Sequence, residues 1–258
     1  MSERHQSMRT ILIPQKKSYK AGDFINLSKE HTRHLVQVLR LEWGTPIRVC
    51  DGFGSTFSGI LEQRSSVGVL IQKLEIKETR KLEVTLHIGF AKNNTIDRVI
   101  EKAAECGITR VQPVVTSRSV VRPKSVEGEK YLSRWQKTAD EACEQSERAF
   151  QMQVLPPLEW KKWIQQVTDS QSRKFAFVSE TRALKNGDEQ IQDTWSALKN
   201  EPSKDIEIII GPEGGFSVAE LEELKSIHFS FSSLGSKVYK VETACVVAST
   251  LVQLSTII

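Results

Sequence analysis

Residues 205–225 constrain this chain more than any other stretch. Residues 205–210 (Asp-Ile-Glu-Ile-Ile-Ile) are apolar and β-branched at nearly every position, which is how a strand buried on both faces of a parallel sheet reads. The run leads straight into Gly211-Pro212-Glu213-Gly214-Gly215, where the glycines and proline end any regular element. Ser217 followed by Glu220 is a capping box, and Val218, Leu221 and Leu224 form a helical stripe behind it. The prediction is strand, bare-backbone loop, helix. Such a corner leaves amides uncovered and lets a ligand approach the main chain. Alone, it is also how an ordinary tight turn reads, and neither P-loop nor Gly-x-Gly-x-x-Gly spacing is present.

The loop gains meaning from the stretch downstream of it. Residues 227–233 alternate like a strand and lead into Leu234-Gly235-Ser236-Lys237-Val238-Tyr239-Lys240-Val241-Glu242-Thr243-Ala244. The pair Gly-Pro-Glu-Gly-Gly-Phe-Ser and, about twenty residues later, Leu-Gly-x-x-x-x-x-x-Glu-Thr-Ala resembles the ribosomal RNA small-subunit methyltransferase E family. That family belongs to the knotted, S-adenosylmethionine-dependent SPOUT superfamily. The resemblance spans nearly the whole chain.

Bulk properties narrow the class independently. No apolar run approaches the roughly 20 residues needed to span a bilayer, and the polar start of the chain lacks the apolar core of a signal peptide. Cys50, Cys106, Cys143 and Cys245 are far apart, which argues against a metal site or disulfide framework and suits a reducing cytoplasm. Residues 1–80 hold 13 Lys/Arg and 8 Asp/Glu, whereas the remainder holds 23 and 24. A small basic module beside a near-neutral larger one fits a nucleic-acid-docking domain on a catalytic domain, and equally fits solvated lysines on an unrelated domain.

In chain order, residues 11–13 read as a strand and Ser28 caps a helix through about Arg40. Strands come next at 47–50, 57–61 and 69–76, with a turn at Asp51-Gly52-Phe53-Gly54. Several strands with one helix predict a small β-barrel. The charged stretch 77–81 is the predicted boundary, giving domains 1–80 and 81–258. Beyond it strands alternate with helices, the signature of an α/β parallel sheet. Strands are expected at 84–91, 111–115 and 175–178. Ile96, Val99, Ile100 and Ala103 stripe a helix stopped by Gly107, and a long helix covers about 127–149, with Trp135 in its core stripe. Trp160, Ile164 and Val167 mark a short helix, 182–204 reads as a polar surface connection, and 243–257 is a helix apolar nearly all round. One buried face accounts for only part of that apolar surface. A second copy across a two-fold axis would cover the rest, and so would burial wholly within one subunit.

The resemblance implies more. It gives an N-terminal PUA-like RNA-binding barrel, with His34-Leu35-x-x-Val38-Leu39-Arg40 and the Asp51-Gly52 turn matching its pattern, and a C-terminal SPOUT domain with a trefoil knot. It implies methyl transfer from S-adenosylmethionine to N3 of a uridine in 16S ribosomal RNA, by a homodimer. Gly211, Pro212, Glu213, Gly214, Gly215, Leu234, Gly235, Ser236, Val238, Tyr239, Val241, Thr243 and Ala244 would hold the cofactor. Ser179 and Glu180, where open α/β sheets bind ligands, join them. Arg33, His34, Arg40, Lys92, Arg118, Gln145 and Arg148 would contact RNA, although Arg33 and Arg40 each read equally well as solvated helix charges. Arg118 lies on a Ser-Glu-Arg-Ser-like stretch, and Arg148 ends a segment resembling Glu-Gln-Ser-Gly-Arg. Arg148 and Arg118 are the candidates for stabilising charge as the uridine N3 proton leaves, with Glu213 as a candidate proton acceptor or a partner of loop amides. No metal is implied.

The chain departs from the family in places. Lys92-Asn93-Asn94-Thr95 lacks the last cation of the usual Lys-Gly-Asp-Arg/Lys. Lys237 and Lys240 replace arginines, and Glu147 replaces a glycine. Two other readings remain open: a non-catalytic RNA-binding or ribosome-assembly factor on the same fold, and a nucleotide-dependent transferase whose glycine loop holds phosphate. Against the second, the loop offers Glu213 and no cation.

Overall fold

The computed structural model describes residues 8–15, 19–80, 82–91, 93–119, 125–178 and 205–255. The chain divides into two units: Met1–Arg80 with Cys143–Gln151, and Lys81–Ala142 with Met152–Ile258.

The N-terminal unit is built on β1 (Arg9–Leu12), β2 (Phe24–Asn26), β3 (Pro46–Cys50), β4 (Ser55–Gln63) and β5 (Val67–Lys77). They form one sheet in the order β1-β3-β4-β5-β2, antiparallel except for β1 beside β3. Strand β2 has three residues, too few for alternation to announce it. Ile11, Ile47, Val49, Phe57, Leu61, Val69 and Ile71 meet in the core with Leu35. Ser28 caps α1 (Lys29–Thr32), its Oγ accepting from the His31 N–H at 3.0 Å. The helix then widens into a π-type turn over Arg33–Val38, closed by the Leu39 N–H on the His34 carbonyl at 2.9 Å. The extra residue per turn rotates Val38 away from the core, and it is exposed although its apolar neighbours Val36 and Leu39 are partly buried. Arg40, at φ 52°, ends the helical path.

The segment 143–151, expected from the sequence to belong to the C-terminal domain, packs with this unit. Glu144 Oε1 accepts from the Leu12 N–H at 2.8 Å and lies 3.1 Å from His31 Nε2. Backbone bonds join Gly54 to Ala149 at 3.0 Å and Gln151 to Gly52 at 3.1 Å. The long helix α3 (Ser125–Gln145) therefore stops short of the predicted 149. The Arg148 N–H bonds the Cys143 carbonyl at 3.0 Å and the Glu147 N–H bonds the Glu144 carbonyl at 3.2 Å, with Glu147 left-handed at φ 56°. That is a Schellman ending, where glycine is the favoured residue. Glu147 instead pairs its carboxylate with Arg48.

The C-terminal unit carries a parallel sheet: β6 (Glu83–Gly89), β7 (Arg110–Val115), β8 (Gln153–Val154), β9 (Leu158–Glu159), β10 (Arg173–Phe177), β11 (Asp205–Ile210) and β12 (Ser230–Ser232). The order is β12-β10-β11-β6-β7-β8, with β9 also on β7, and every pairing is parallel. The predicted central strand thus sits between two neighbours, as its apolar run requires. The helices are α2 (Asn93–Glu105), α4 (Trp160–Thr168), α5 (Val218–Ser226) and α6 (Val241–Leu254). Trp135 of α3 is fully buried and its indole N–H donates to Asp97 of α2 at 2.8 Å.

Two expectations need correcting. Residues 227–229 are not strand: they close α5 in a second Schellman ending at left-handed His228, φ 67°. Their alternation came from Ile227, Phe229 and Phe231 all entering the core. The last helix begins at Val241 and runs to Leu254; Ile257, counted in its predicted apolar surface, lies outside the described residues, as does the connection 182–204. Val241, Cys245, Ala248, Ser249 and Val252 are buried, and Gln253 donates to the Gly107 carbonyl at the end of α2, 2.9 Å away. Val246, Val247 and Leu251 are only partly covered, and Leu254 is 39% exposed.

A polar network sits among the strands. Trp163 of α4 donates its indole N–H to His87 Nδ1 at 2.9 Å, so the proton of this imidazole is on Nε2, 3.0 Å from Glu207 Oε2. Ser170 and Ser172 donate to the other Glu207 oxygen at 2.6 and 2.8 Å. Burial pushes the Glu207 carboxyl up, but His87 and the two hydroxyls overcome it and hold the group down at about 2.

These contacts can be tested by stability measurements. Glu147→Gly relieves left-handed strain of about 1–2 kcal/mol and loses a surface pair worth about 0–1 kcal/mol, so urea unfolding should show a net gain near 1 kcal/mol. A loss would mean the Arg48 pair outweighs the strain. For Glu207, the folded carboxyl titrates lower than the unfolded one, so its contribution is complete above about pH 4.5 and disappears as pH falls toward 2. It amounts to at most about 3 kcal/mol. Glu207→Gln should flatten the acid limb of the stability profile between about pH 5 and 2 on the order of that amount, as measured by denaturant midpoints.

Candidate functional site

Strands β10, β11 and β12 end side by side, and their carboxyl ends open into a cavity of about 560 Å³. Phe177 and Val178 leave β10, Ile210 and Gly211 leave β11, and Phe231 belongs to β12; all five line it. Ligands bind at this edge of open α/β sheets because loops diverge there and amide groups lose their ladder partners.

The glycine loop forms one wall. Pro212 and Gly215 close a tight turn, the Gly215 N–H bonding the Pro212 carbonyl at 2.7 Å, and Gly215 is left-handed at φ 69°. A Cβ on Gly211 would come within 3.2 Å of Gly215 Cα. Pro212 in turn seats on the bare backbone of Gly89 at the end of β6, where any Cβ would overlap its ring. Gly89 was not singled out in the sequence, because its need is steric and its partner is more than a hundred residues away.

The second wall is residues 234–244. Gly235, at φ 98°, turns the chain, with its N–H on Ser233 Oγ at 3.0 Å. Leu234, Gly235, Lys237, Val238, Tyr239 and Lys240 line the cavity, followed by Val241, Glu242 and Ala244 from the start of α6. Lys240 is the N-cap of α6 without a side-chain cap bond, so the positive end of that helix is left uncapped there. Glu213 and Glu242 bring carboxylates to the same lining, and Glu242 stands 3.8 Å from Arg98.

Of the residues expected to hold a cofactor, Gly211, Pro212, Glu213, Gly215, Leu234, Gly235, Val238, Tyr239, Val241 and Ala244 come together in this lining. Gly214, Ser236 and Thr243 are not in it. Gly214 turns toward Arg118, whose Nη1 donates to the Gly214 carbonyl at 2.9 Å. Ser179, Glu180 and Lys92 lie outside the described residues. Arg118 thus stands on the back of the glycine loop, while Gln145 and Arg148 belong to the N-terminal unit, as do exposed Arg33, His34 and Arg40.

Sequence reasoning missed several wall residues. Phe177, Val178, Ile210 and Phe231 could have been found from the rule that strand ends carry ligands. Phe216 stood within the glycine motif without a role of its own, and Leu221 read only as part of the helical stripe. Thr95, Lys237 and Lys240 were singled out as departures from the family pattern, and all three line the cavity. Among the described residues no group of three His, Cys, Asp or Glu side chains stands together to hold a metal, and no helix is long and apolar enough to cross a membrane.

A partly apolar cavity with a bare-backbone wall, at the carboxyl edge of a parallel sheet, defines an α/β protein with room there for a small-molecule ligand. Residues 78–253 match the family model described as an RNA methyltransferase domain. The ribosomal RNA small subunit methyltransferase E of Rickettsia conorii is 31% identical over 235 residues, covering 89% of each chain. A Legionella pneumophila structure in complex with bound S-adenosylmethionine superposes with a TM-score of 0.82 at 26% identity, covering 96% of this chain and 98% of that one. The Neisseria gonorrhoeae ribosomal RNA small subunit methyltransferase E, at 24% identity, 96% and 97% coverage and a TM-score of 0.81, shares the fold. The chain belongs to the ribosomal RNA small subunit methyltransferase E family of RNA methyltransferases.

The glycine wall yields a direct test. Gly215→Val puts a β-branched side chain on a left-handed residue of the lining. Calorimetry should show S-adenosylmethionine binding lost, or weakened at least about a hundredfold, with circular dichroism unchanged. Normal binding would remove this loop from the site.

Proposed function

We propose that this protein transfers the methyl group of S-adenosylmethionine to N3 of a uridine in the RNA of the small ribosomal subunit. The observation that carries the reading is the cavity at the ends of β10, β11 and β12 in a chain of this family. Its chemistry fits the cofactor. Phe177, Val178, Ile210, Phe231 and Leu234 offer an apolar slot for adenine, with main-chain groups of the glycine loop to read its edge. Lining groups of both signs, Lys237 and Lys240 with the uncapped start of α6 against Glu213 and Glu242, suit the carboxylate and ammonium of a methionine moiety.

When bound, S-adenosylmethionine supplies an electrophilic methyl carbon. The protein must hold the uracil in line with that carbon, keep water away and take up the proton that N3 gives up. Arg118 and Arg148 hold the RNA and stabilise the negative charge that develops on the ring. Glu213, exposed at the lining, is the candidate proton acceptor.

The remaining assignments belong to the same reading. Residues 1–80 are a PUA-like domain that docks RNA through Arg33, His34 and Arg40, with Gln145 and Arg148 carried by the segment that packs with it and Lys92 adding a contact. Residues 81–258, apart from that segment, are the catalytic domain, and its chain forms a trefoil knot. Insertion of β11 between β10 and β6, after five earlier strands, supports a threaded path. The protein is a cytoplasmic homodimer whose α6 helices pair; the partly covered row of Val246, Val247, Leu251 and Leu254 supports that pairing.

The experiment is methylation of purified small subunits, with the modified base identified by mass spectrometry. N3-methyluridine at one position is expected, with subunit binding that weakens as salt rises because phosphate contacts release counterions. Arg148→Ala should lower turnover at least about tenfold while leaving cofactor affinity within about threefold. Methylation of transfer RNA or protein instead would overturn the substrate assignment. Leu251→Glu should yield monomers without activity, and a fully active wild-type monomer in light scattering would end the dimer proposal.

A further inference from the structure

Glu220 does more than a helix cap requires. It is 4% exposed, and both of its oxygens are engaged. As the third residue of α5 it completes the capping box, Oε2 accepting from the Ser217 N–H at 2.7 Å and the Ser217 hydroxyl at 3.0 Å. The same carboxylate also reaches the loop after β7. Oε1 accepts from the Ser117 N–H at 2.7 Å and Oε2 from the Ser117 hydroxyl at 3.0 Å. A capping box needs only the Ser217 N–H on the carboxylate and the Glu220 N–H on Ser217 Oγ, the latter 3.3 Å here. The Ser117 pair ties together two loops 103 residues apart.

The tied loop carries Arg118. Thr116 to Ser119 is a β-turn, closed by the Ser119 N–H on the Thr116 carbonyl at 3.2 Å and by Ser119 Oγ accepting from the Thr116 N–H at 3.0 Å. Ser117 and Arg118 are its two central residues. Arg118 leans on Gly214, with its Cβ 3.1 Å from where a Gly214 Cβ would stand and Nη1 on the Gly214 carbonyl. A guanidinium has five donors, so one bond to the loop leaves others to face an anion. The exposed Arg118 side chain is thus held from two sides, by Glu220 through its neighbour and by the glycine loop directly.

We infer that Glu220 is a positioning residue for RNA: it fixes the Ser117–Arg118 turn on the glycine loop so that the Arg118 guanidinium meets the RNA backbone beside the cofactor wall. The inference rests on the RNA-methylating function proposed above. Without the Ser117 bonds, the turn keeps its own closure but loses its attachment, and Arg118 must be ordered afresh by each RNA it binds.

Glu220→Gln separates the two roles. Glutamine satisfies a capping box, but its amide nitrogen must then face the Ser117 N–H, donor against donor. Ser117→Pro removes both donors from the other side. Proline suits the second position of a β-turn, so the turn itself survives, and α5 keeps its capping box while Glu220 Oε1 loses the Ser117 donor. Binding of cofactor-free protein to purified small subunits is the first readout, S-adenosylmethionine affinity by calorimetry the second, and methylation the third. Both variants, like Arg118→Ala, should bind subunits about tenfold more weakly, with cofactor affinity within about threefold of wild type. The double variant Arg118→Ala with Glu220→Gln should bind no more weakly than Arg118→Ala alone, because the two residues act as one unit. Wild-type subunit affinity in Ser117→Pro, or additive losses in the double variant, would overturn the inference. If Glu220→Gln fails to fold, Ser117→Pro decides alone, as does Arg118→Ala combined with it. A wild-type protein that binds subunits yet methylates nothing would overturn the proposed function instead, and the binding comparison would still judge the role of Glu220.

Discussion

The cofactor end of the sheet depends on main chain meeting main chain with nothing between. Pro212 rests on Gly89, and Gly211 folds against Gly215, so three glycines from one strand and one loop occupy space that side chains would otherwise fill. This close approach is costly in chain entropy, because glycine loses more freedom on folding than any other residue. It is also what makes the wall of the cavity a surface of amides and carbonyls. A wall of side chains would give shape, whereas a wall of backbone gives shape and hydrogen bonds at once.

The strand that delivers the loop is secured at its other end by polar groups. Glu207 lies three residues before Ile210 and accepts from His87, Ser170 and Ser172, while Trp163 fixes the tautomer of His87. A half-buried carboxylate with fewer partners would be a liability in this core. Fully bonded, it sets the register of β11 against β6 and ties both to α4. Glu220 repeats the device at the far end of the loop, so the glycine corner is held between two carboxylates, each satisfied by donors from distant parts of the chain.

Legibility of the chain in the sequence divided along the range of the forces involved. Strand β11, its loop and the capping box of α5 were readable because each is written in adjacent residues: β-branched runs, glycines, Ser217 and Glu220. The two loop motifs, read together, marked ten residues that do meet in the cavity. The unreadable parts depend on partners distant in the chain. Nothing local announces that Gly89 must be bare for Pro212, that Glu220 will reach Ser117, or that the segment 143–151 packs with strands from the first eighty residues. Helix ends were misjudged for a related reason. Glu147 and His228 take left-handed conformations that composition assigns to glycine, so α3 was drawn too long and 227–229 was taken for strand. At Gly107, where the residue matched the geometry, the helix end was read correctly.

The placement of Cys143–Gln151 has a consequence for how the chain can be assembled. A ribosome delivers residues in order, and domains generally fold as they emerge. Here the first sheet is present by residue 80, but Gly52, Gly54 and Leu12 must wait for partners that emerge only with 144–151. The strands of the first unit are therefore made early and finished late, after two strands and two helices of the second unit have already left the tunnel. The two units are interleaved in time as well as in sequence, so the first eighty residues are not a cassette that can be cut out or exchanged whole. Any fragment meant to represent the N-terminal unit must carry the end of α3 with it.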